Sequence, residues 1–501
     1  MSSTRLHRWV LSLSVILLII FSYANQLIYR YRVPPGGDAV NHNWIVTQIL
    51  HGDNAPIFNY HTVWHLIVAA ITIVTNIPCI TVMAWLGPAL IVTMWIVLYI
   101  FNRRFYGPIA GIVSLILIGF FSYQPLQTLY DGGFPNVLAA GTIFPAVLIL
   151  LDRALSSPRR AENWLFLAVG TAILFFTHHL TMLYALPILL FVVLLDVIRR
   201  GRLHRVSWVY ISLGLLVIFL VAVGAAAWFL NSAIDDSVRN LAILYVRVNF
   251  IFPFIHLVGN LDNPNAIWPL AAYPNAIGES VVYLGFVGLM MSVFFTLTRP
   301  RINQWRGYAI LAIWALTLLI GSQIPSLGFP VRLARDLAIP LALLGGVFVQ
   351  SLASFILRRN IPRLFLFLFL AAAFGTGLLT LNARFQQAVA PNPLINHLGV
   401  DSQAADYITR ELPLSSRIVV FQDDVYLDAF TPLHTVDRIN DGPRVNELLK
   451  MPDGIGVIKD YDYIYLEERF DREDSWINNR GIIQSYLASP VTSLTASFAQ
   501  T

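Results

Sequence analysis

Cysteine is nearly missing from this chain. Among 501 residues there is one, Cys79, which excludes intrachain disulfides and any multi-cysteine metal site. Charge is scarce as well. Asp, Glu, Lys and Arg make up 12% of the residues, roughly half of the ~25% that a soluble domain carries, which excludes an ordinary soluble enzyme and a disordered chain alike. Lysine occurs at two positions, Lys450 and Lys459. What fills the gap is apolar: 57% of the chain, with a mean hydropathy of +0.66. These residues come in uninterrupted runs near the ~20 needed to cross a bilayer, the pattern of a polytopic helical membrane protein.

The few charges are unevenly spread. Residues 383–501 hold 17 of the 28 acidic residues and both lysines, whereas residues 1–382 hold 11 acids and 23 bases, all arginine. A long membrane domain, 1–382, is therefore followed by a water-soluble one, 383–501. The net charge of +5 is loop arginine on a membrane protein, not a nucleic-acid-binding face.

Arginine clusters set the threading through the positive-inside rule. They are Arg5/Arg8, Arg103/Arg104, Arg153/Arg159/Arg160, Arg199/Arg200/Arg202/Arg205, Arg299/Arg301/Arg306 and Arg358/Arg359/Arg363. Spans are expected near 9–28, 79–101, 107–123, 135–151, 164–177, 180–197, 207–230, 280–298, 307–323, 336–357 and 363–382, about eleven in all. With the N-terminus in the cytoplasm of a plasma-membrane protein, the tail then lies outside the cell. That parity requires residues 61–75 to lie in the interface rather than cross, in keeping with their short length and with His61, Trp64 and His65 at their start. Residues 1–28 lack a small-residue cleavage site and read as the first span. The first outer segment, 29–78, opens with PPGGDAVNHNW: a turn, Asp38 as N-cap, then a short helix. A second outer stretch, 231–279, is rich in Asn, Pro and aromatics. Shorter outer connections are LYDGGFPN (129–136), THHLT (177–181) and GFPVRLARDL (328–337). In the tail, ADYITREL (405–412) reads as helix and RIVVFQDD (417–424) and YDYIYLEE (461–468) as strands, a small α/β module.

Ionisable groups at or inside a membrane are costly, which makes them candidates for function. Asp38 follows two glycines that permit close approach of a substrate, and His42 lies four residues on. Asp131 follows Tyr130 and precedes a double glycine. Arg332 and Arg335 can fork onto a phosphate. Each has a plainer reading: Asp38 as a cap only, Asp131 as a turn residue, the two arginines as lipid-headgroup anchors, and His178/His179 as packed residues. His61 and His65 share a helix face but lack a third metal ligand. Together, two carboxylates and an arginine pair suggest activation of a hydroxyl beside a bound phosphate.

The order of these pieces resembles the GT-C class of membrane glycosyltransferases, which includes protein O-mannosyltransferases, aminoarabinose transferases and the catalytic subunits of oligosaccharyltransferases. That class carries an acidic residue in a large first outer loop with two surface helices, here PPGGDAVNHNW and IFNYHTVWHLIVAAITIV. Asn59-Tyr60-His61 stands where many members have a Pro-rich start. FPNVLAAGTIFPAVLILL, FFTHHLTMLYALPILL and GFPVRLARDLAIPLALLGG look like the recurring pieces of bacterial, mostly uncharacterised members. The resemblance implies an all-α polytopic membrane domain plus a small C-terminal α/β domain. It implies a transferase that takes a polyprenyl-phosphate-linked sugar to a glycan, lipid or protein acceptor on the outer face. Asp38 is then the base, with Asp131 as a second catalytic carboxylate and Tyr130 beside it. Arg332 and Arg335 stabilise the departing phosphate. Asp131 and His42 orient the acceptor or, as in metal-using members, hold a divalent cation such as Mg or Mn. Two rivals remain: a transporter, and a non-catalytic scaffold or sensor. Apart from residues at span ends such as Asp152 and Asp196, no carboxylate or arginine lies within the expected spans, which argues against ion-coupled transport.

Overall fold

The computed structural model describes residues 3–29, 34, 38–52, 61–200, 267–298, 304–324, 330–359, 361–389, 404, 407–420, 435–438 and 461–465. Along the chain the helices are α1 (Ser3–Tyr29), α2 (Asp38–Leu50), α3 (Thr62–Thr75), α4 (Cys79–Phe105), α5 (Pro108–Phe120), α6 (Leu126–Tyr130), α7 (Phe134–Leu138), α8 (Phe144–Ser156), α9 (Ala161–Thr177), α10 (His179–Arg200), α11 (Tyr273–Ile277), α12 (Glu279–Thr298), α13 (Trp305–Gly321), α14 (Pro330–Asp336), α15 (Ala338–Arg358), α16 (Arg363–Gly375) and α17 (Leu378–Val389). Among the described residues six helical stretches are long and apolar enough to cross a membrane, or seven if α16 and α17, bent by 49°, form one span. Four shorter apolar helices, α3, α5, α9 and α13, accompany them. This is a multi-pass membrane protein. Helices stand at ten of the eleven expected spans. The remaining one, 207–230, lies outside the described residues, as does most of the outer stretch 231–279. Helix α3 has 14 residues, hence a length of about 21 Å, well short of a ~30 Å hydrocarbon core.

The chain divides into two compact units: Met1–Tyr31 with Asn54–Ile67 and Trp85–Ala390, and Arg32–Asp53 with Val68–Ala84 and Pro391–Thr501. In the first unit α15 packs between α5 and α12. The approach is close because small residues line it. A Cβ on Gly288 of α12 would sit 2.2 Å from the carbonyl oxygen of Leu344, and one on Gly346 of α15 would sit 2.4 Å from that of Ala110. Helices in a membrane gain little from burying apolar side chains against one another, so such backbone-to-backbone contact supplies dispersion energy that bulky residues would forbid.

Four arginine-bearing helix ends meet at one end of this unit. Arg306, at the start of α13, donates Nε to Asp196 of α10 at 3.0 Å and Nη1 to Asp152 of α8 at 3.2 Å, and Arg104 at the end of α4 reaches Asp152 at 3.1 Å. Arg199 lies 4.8 Å from the centre of the Trp305 ring, a cation–π contact. Members of three of the six clusters that the threading placed on one side, Arg104, Arg199 and Arg306, thus meet here.

Prolines interrupt two of the spans. Pro145 cannot donate to the carbonyl of Gly141, and a π turn over Ala139–Ile143 joins α7 to α8. Pro340 likewise cannot bond the carbonyl of Asp336, and there the helix breaks into the short α14 and the long α15.

In the second unit, α2 is fastened to the start of α4: the Cys79 thiol donates to Asn43 Oδ1 at 2.8 Å, and Thr47 Oγ1 lies 3.6 Å from the same sulfur. The tail residues that are described include helical residues 407–411 and a three-stranded parallel sheet, order β2-β1-β3, from β1 (Arg417–Val420), β2 (Thr435–Arg438) and β3 (Tyr463–Tyr465). Ile418 is opposite Val436 on one side and Tyr463 on the other. Asp462 Oδ2 accepts the Arg417 amide at 2.8 Å, fixing β3 beside β1. The strand expected from Arg417 begins there, the one expected from Tyr461 begins two residues later at Tyr463, and TVDR adds a third. Most of the expected α/β domain lies outside the described residues.

Candidate functional site

Three short connections that are far apart in sequence come together in the first unit: LYDGGFPN, THHLT and the described part of GFPVRLARDL. The first is a turn in which Gly132 adopts φ +89, a conformation that suits glycine. Asp131 closes α6 before this turn, and its Oδ2 receives Arg335 Nη1 at 2.5 Å. Asp131 is therefore a turn residue and an ion-pair partner at once. The pair is wet on the carboxylate side, since the Asp131 side chain is 47% exposed and that of Arg335 23%. Arg335 Nε–H is buried and has no acceptor among the described residues. Arg332, one turn earlier, is exposed.

Behind the arginines sits a carboxylate that the sequence reading did not select. Asp336 is buried, accepting Tyr184 OH on Oδ2 at 3.0 Å and Asn136 Nδ2 on Oδ1 at 3.2 Å. Both Arg332 and Arg335 lie close enough to act on it electrostatically. The signal was present, since RLARD places an acid four residues after Arg332, the spacing of a helical ion pair. Tyr184 and Asn136 gave none: each sits in an apolar stretch and becomes polar machinery only through its partner.

The histidines extend the network. His178, in an extended conformation between α9 and α10, accepts the Thr181 amide on Nδ1 at 3.2 Å, with the Thr181 hydroxyl 2.8 Å away. That hydroxyl also lies 3.5 Å from Asn136 Oδ1. His61 stacks on His178 with ring centres 4.9 Å apart, and its Nδ1 lies 3.0 Å from the Thr177 carbonyl oxygen, so that nitrogen carries the proton. Burial, helped by His179 and Arg332, holds the His178 imidazole down at about 3. The ring is neutral at physiological pH. His65 is fully buried.

Tyr130 faces other partners. It bonds the Asn25 side chain and neighbours Arg384; burial raises its phenol, and these two groups partly offset that rise. Arg384 itself is buried, donating to the carbonyl oxygens of Gly119 and Ser122 at the end of α5 and lying 5.5 Å from the Phe21 ring centre. A guanidinium among those carbonyls satisfies a helix C-terminus. Asp38 and His42 belong to the second unit. The expected helix forms, with Asp38 in its first turn, but Asp38 is exposed and His42 buried. Gly36 and Gly37 lie outside the described residues.

Among the described residues no three His, Cys, Asp or Glu side chains gather to hold a metal ion. Of the two residues expected to hold a divalent cation, Asp131 is paired with Arg335 and His42 lies in the second unit.

The family of unknown function DUF6541 matches residues 4–258. No curated protein sequence matches the chain. Among solved structures, the oligosaccharyltransferase of Archaeoglobus fulgidus in its apo form superposes with a TM-score of 0.64 at 14% identity, over 99% of this chain and 74% of that one. The same archaeal enzyme, AglB, in complex with an inhibitory peptide and a dolichol-phosphate gives 0.55 at 14% identity over 85% of this chain and 64% of that one. ArnT from Cupriavidus metallidurans bound to undecaprenyl phosphate gives 0.53 at 12% identity, over 92% of this chain and 95% of that one. These are GT-C glycosyltransferases, and the fold is theirs.

Proposed function

Because this chain belongs to DUF6541, a family without an assigned function, its activity has to come from fold and site, and we propose that it is a membrane glycosyltransferase. It moves a sugar from a polyprenyl-phosphate donor to an acceptor hydroxyl of a glycan, lipid or protein. Transfer takes place on the outer face of the plasma membrane, with the N-terminus in the cytoplasm and the C-terminal domain outside. Fold alone does not fix chemistry. The observation that carries the reading is Arg335: one amino group rests on a half-exposed carboxylate, while its buried Nε–H has no acceptor among the described residues. A guanidinium left this way fits an anionic oxygen from a ligand. The dolichol-phosphate and undecaprenyl phosphate of the AglB and ArnT structures supply the class of ligand.

In the reaction, Asp38 accepts the proton of the acceptor hydroxyl as that oxygen attacks the anomeric carbon. The bond from that carbon to the phosphate oxygen breaks, and Arg332 and Arg335 stabilise the charge that develops on the leaving phosphate. Asp131 and His42 orient the acceptor, and Tyr130 lines the approach.

The test is turnover of a panel of polyprenyl-phosphate sugars by purified protein in detergent. Asp38→Asn should slow transfer about 10²–10⁴-fold, the usual contribution of a general base. Wild-type rates in that variant would remove Asp38 from the mechanism. If no donor is bound or turned over, the scaffold and transport readings take precedence.

A further inference from the structure

Arginines that receive a phosphate need something to hold them when their resting partner leaves. Asp131 cannot do this for Arg335, because a phosphate competes with it for the same guanidinium. The carboxylate that remains is Asp336. It is nine-tenths buried or more, fixed on one oxygen by Tyr184 OH at 3.0 Å and on the other by Asn136 Nδ2 at 3.2 Å. It follows Arg335 directly, stands one helical turn after Arg332, and acts electrostatically on both. Two neutral donors are a costly way to keep a carboxylate out of water unless its field is put to use. The donors come from α10 and α7, so three helices share the work of fixing one acid.

We infer that Asp336, pinned by Tyr184 and Asn136, is a positioning residue that keeps Arg332 and Arg335 aimed at the donor phosphate after Asp131 has been displaced. This rests on the lipid-phosphate reading given above. Asp131 is then a placeholder for the phosphate in the resting protein, and the chain Thr181–Asn136–Asp336–Tyr184 is the rigid backing of the arginine pair.

The experiment measures binding of undecaprenyl phosphate and of undecaprenol to the full-length protein in nanodiscs, for wild type, Tyr184→Phe, Asp336→Asn, Arg335→Ala and the double variant Asp336→Asn/Arg335→Ala. The readout is the ratio of the two affinities, which loss of packing would leave unchanged because it weakens both lipids together. Asp336→Asn should cut the preference for phosphate about tenfold, and Tyr184→Phe, which removes one hydroxyl, severalfold. In the Arg335→Ala background Asp336→Asn should cost clearly less than it does alone, since only Arg332 is left for it to act through. A preference that survives both Asp336→Asn and Tyr184→Phe, or effects that add fully in the double variant, overturns the inference while leaving the phosphate site standing. A wild-type protein with no preference for phosphate over alcohol overturns the phosphate site itself.

Discussion

The two ends of the first unit handle arginine in opposite ways. At one end Arg104 and Arg306 are matched by Asp152 and Asp196, and Arg199 rests on the Trp305 ring. Every contact there ties one helix end to another, as a clamp does. At the other end Arg335 shares a half-exposed pair with Asp131 and keeps a buried N–H without an acceptor among the described residues, Arg332 is exposed, and Asp336 is held by neutral groups. Both ends hold a buried arginine N–H without an acceptor among the described residues, on Arg199 and on Arg335. What differs is the carboxylates: Asp152 and Asp196 join helix ends through Arg104 and Arg306, whereas Asp131 is half-exposed and its arginine can be shared with an incoming anion. Charge count alone does not separate the two ends; the partners do.

The contrast can be broken most directly by deleting one arginine from each end. Arg335→Ala should lower turnover about 10²–10³-fold, the loss seen when one donor to a developing charge is removed. It should leave unfolding in detergent nearly unchanged, because a half-exposed pair contributes at most about 1 kcal/mol. Equal losses of stability and turnover would mean that Arg335 is another clamp. Arg306→Met should do the reverse, costing about 3 kcal/mol by taking a guanidinium away from the buried Asp196, since breaking a buried pair is strongly destabilising. Chemical unfolding measures that cost, and the preference for undecaprenyl phosphate over undecaprenol should hold. A lost preference in Arg306→Met would erase the distinction between the ends.

Acid should sharpen it further, with a smaller effect. His178 is held at about 3 in the fold by burial, His179 and Arg332. Its unfolded value is near 6.5, so the unfolded chain binds the extra proton first, and the stability present above pH ~6.5 is lost as pH falls towards 3. Between pH 7 and pH 5 the expected loss is about 2 kcal/mol, and His178→Gln should flatten the slope. An unchanged slope in the variant would place the acid sensitivity elsewhere.

The sequence by itself determined the class of molecule and most of the helices. Long apolar runs with arginine at alternate ends admit few arrangements in a bilayer, because a backbone without water must satisfy its hydrogen bonds within helices. It also singled out Asp131, Arg332 and Arg335, since ionisable groups beside a membrane stand out against so little charge. It did not pair them. The contact between Asp131 and Arg335 joins residues 204 positions apart, and no local pattern encodes it. Asp336 was passed over at the mouth of a span, and Tyr184, Asn136 and Arg384 read as ordinary members of helices. Local periodicity records which face of a helix is apolar, whereas the partner of a buried polar group is chosen by packing between distant helices. Gly288 and Gly346 allow α12, α15 and α5 to close up, and Pro340 breaks the helix just after Asp336. Only that tertiary arrangement turned three short connections into one constellation of charge.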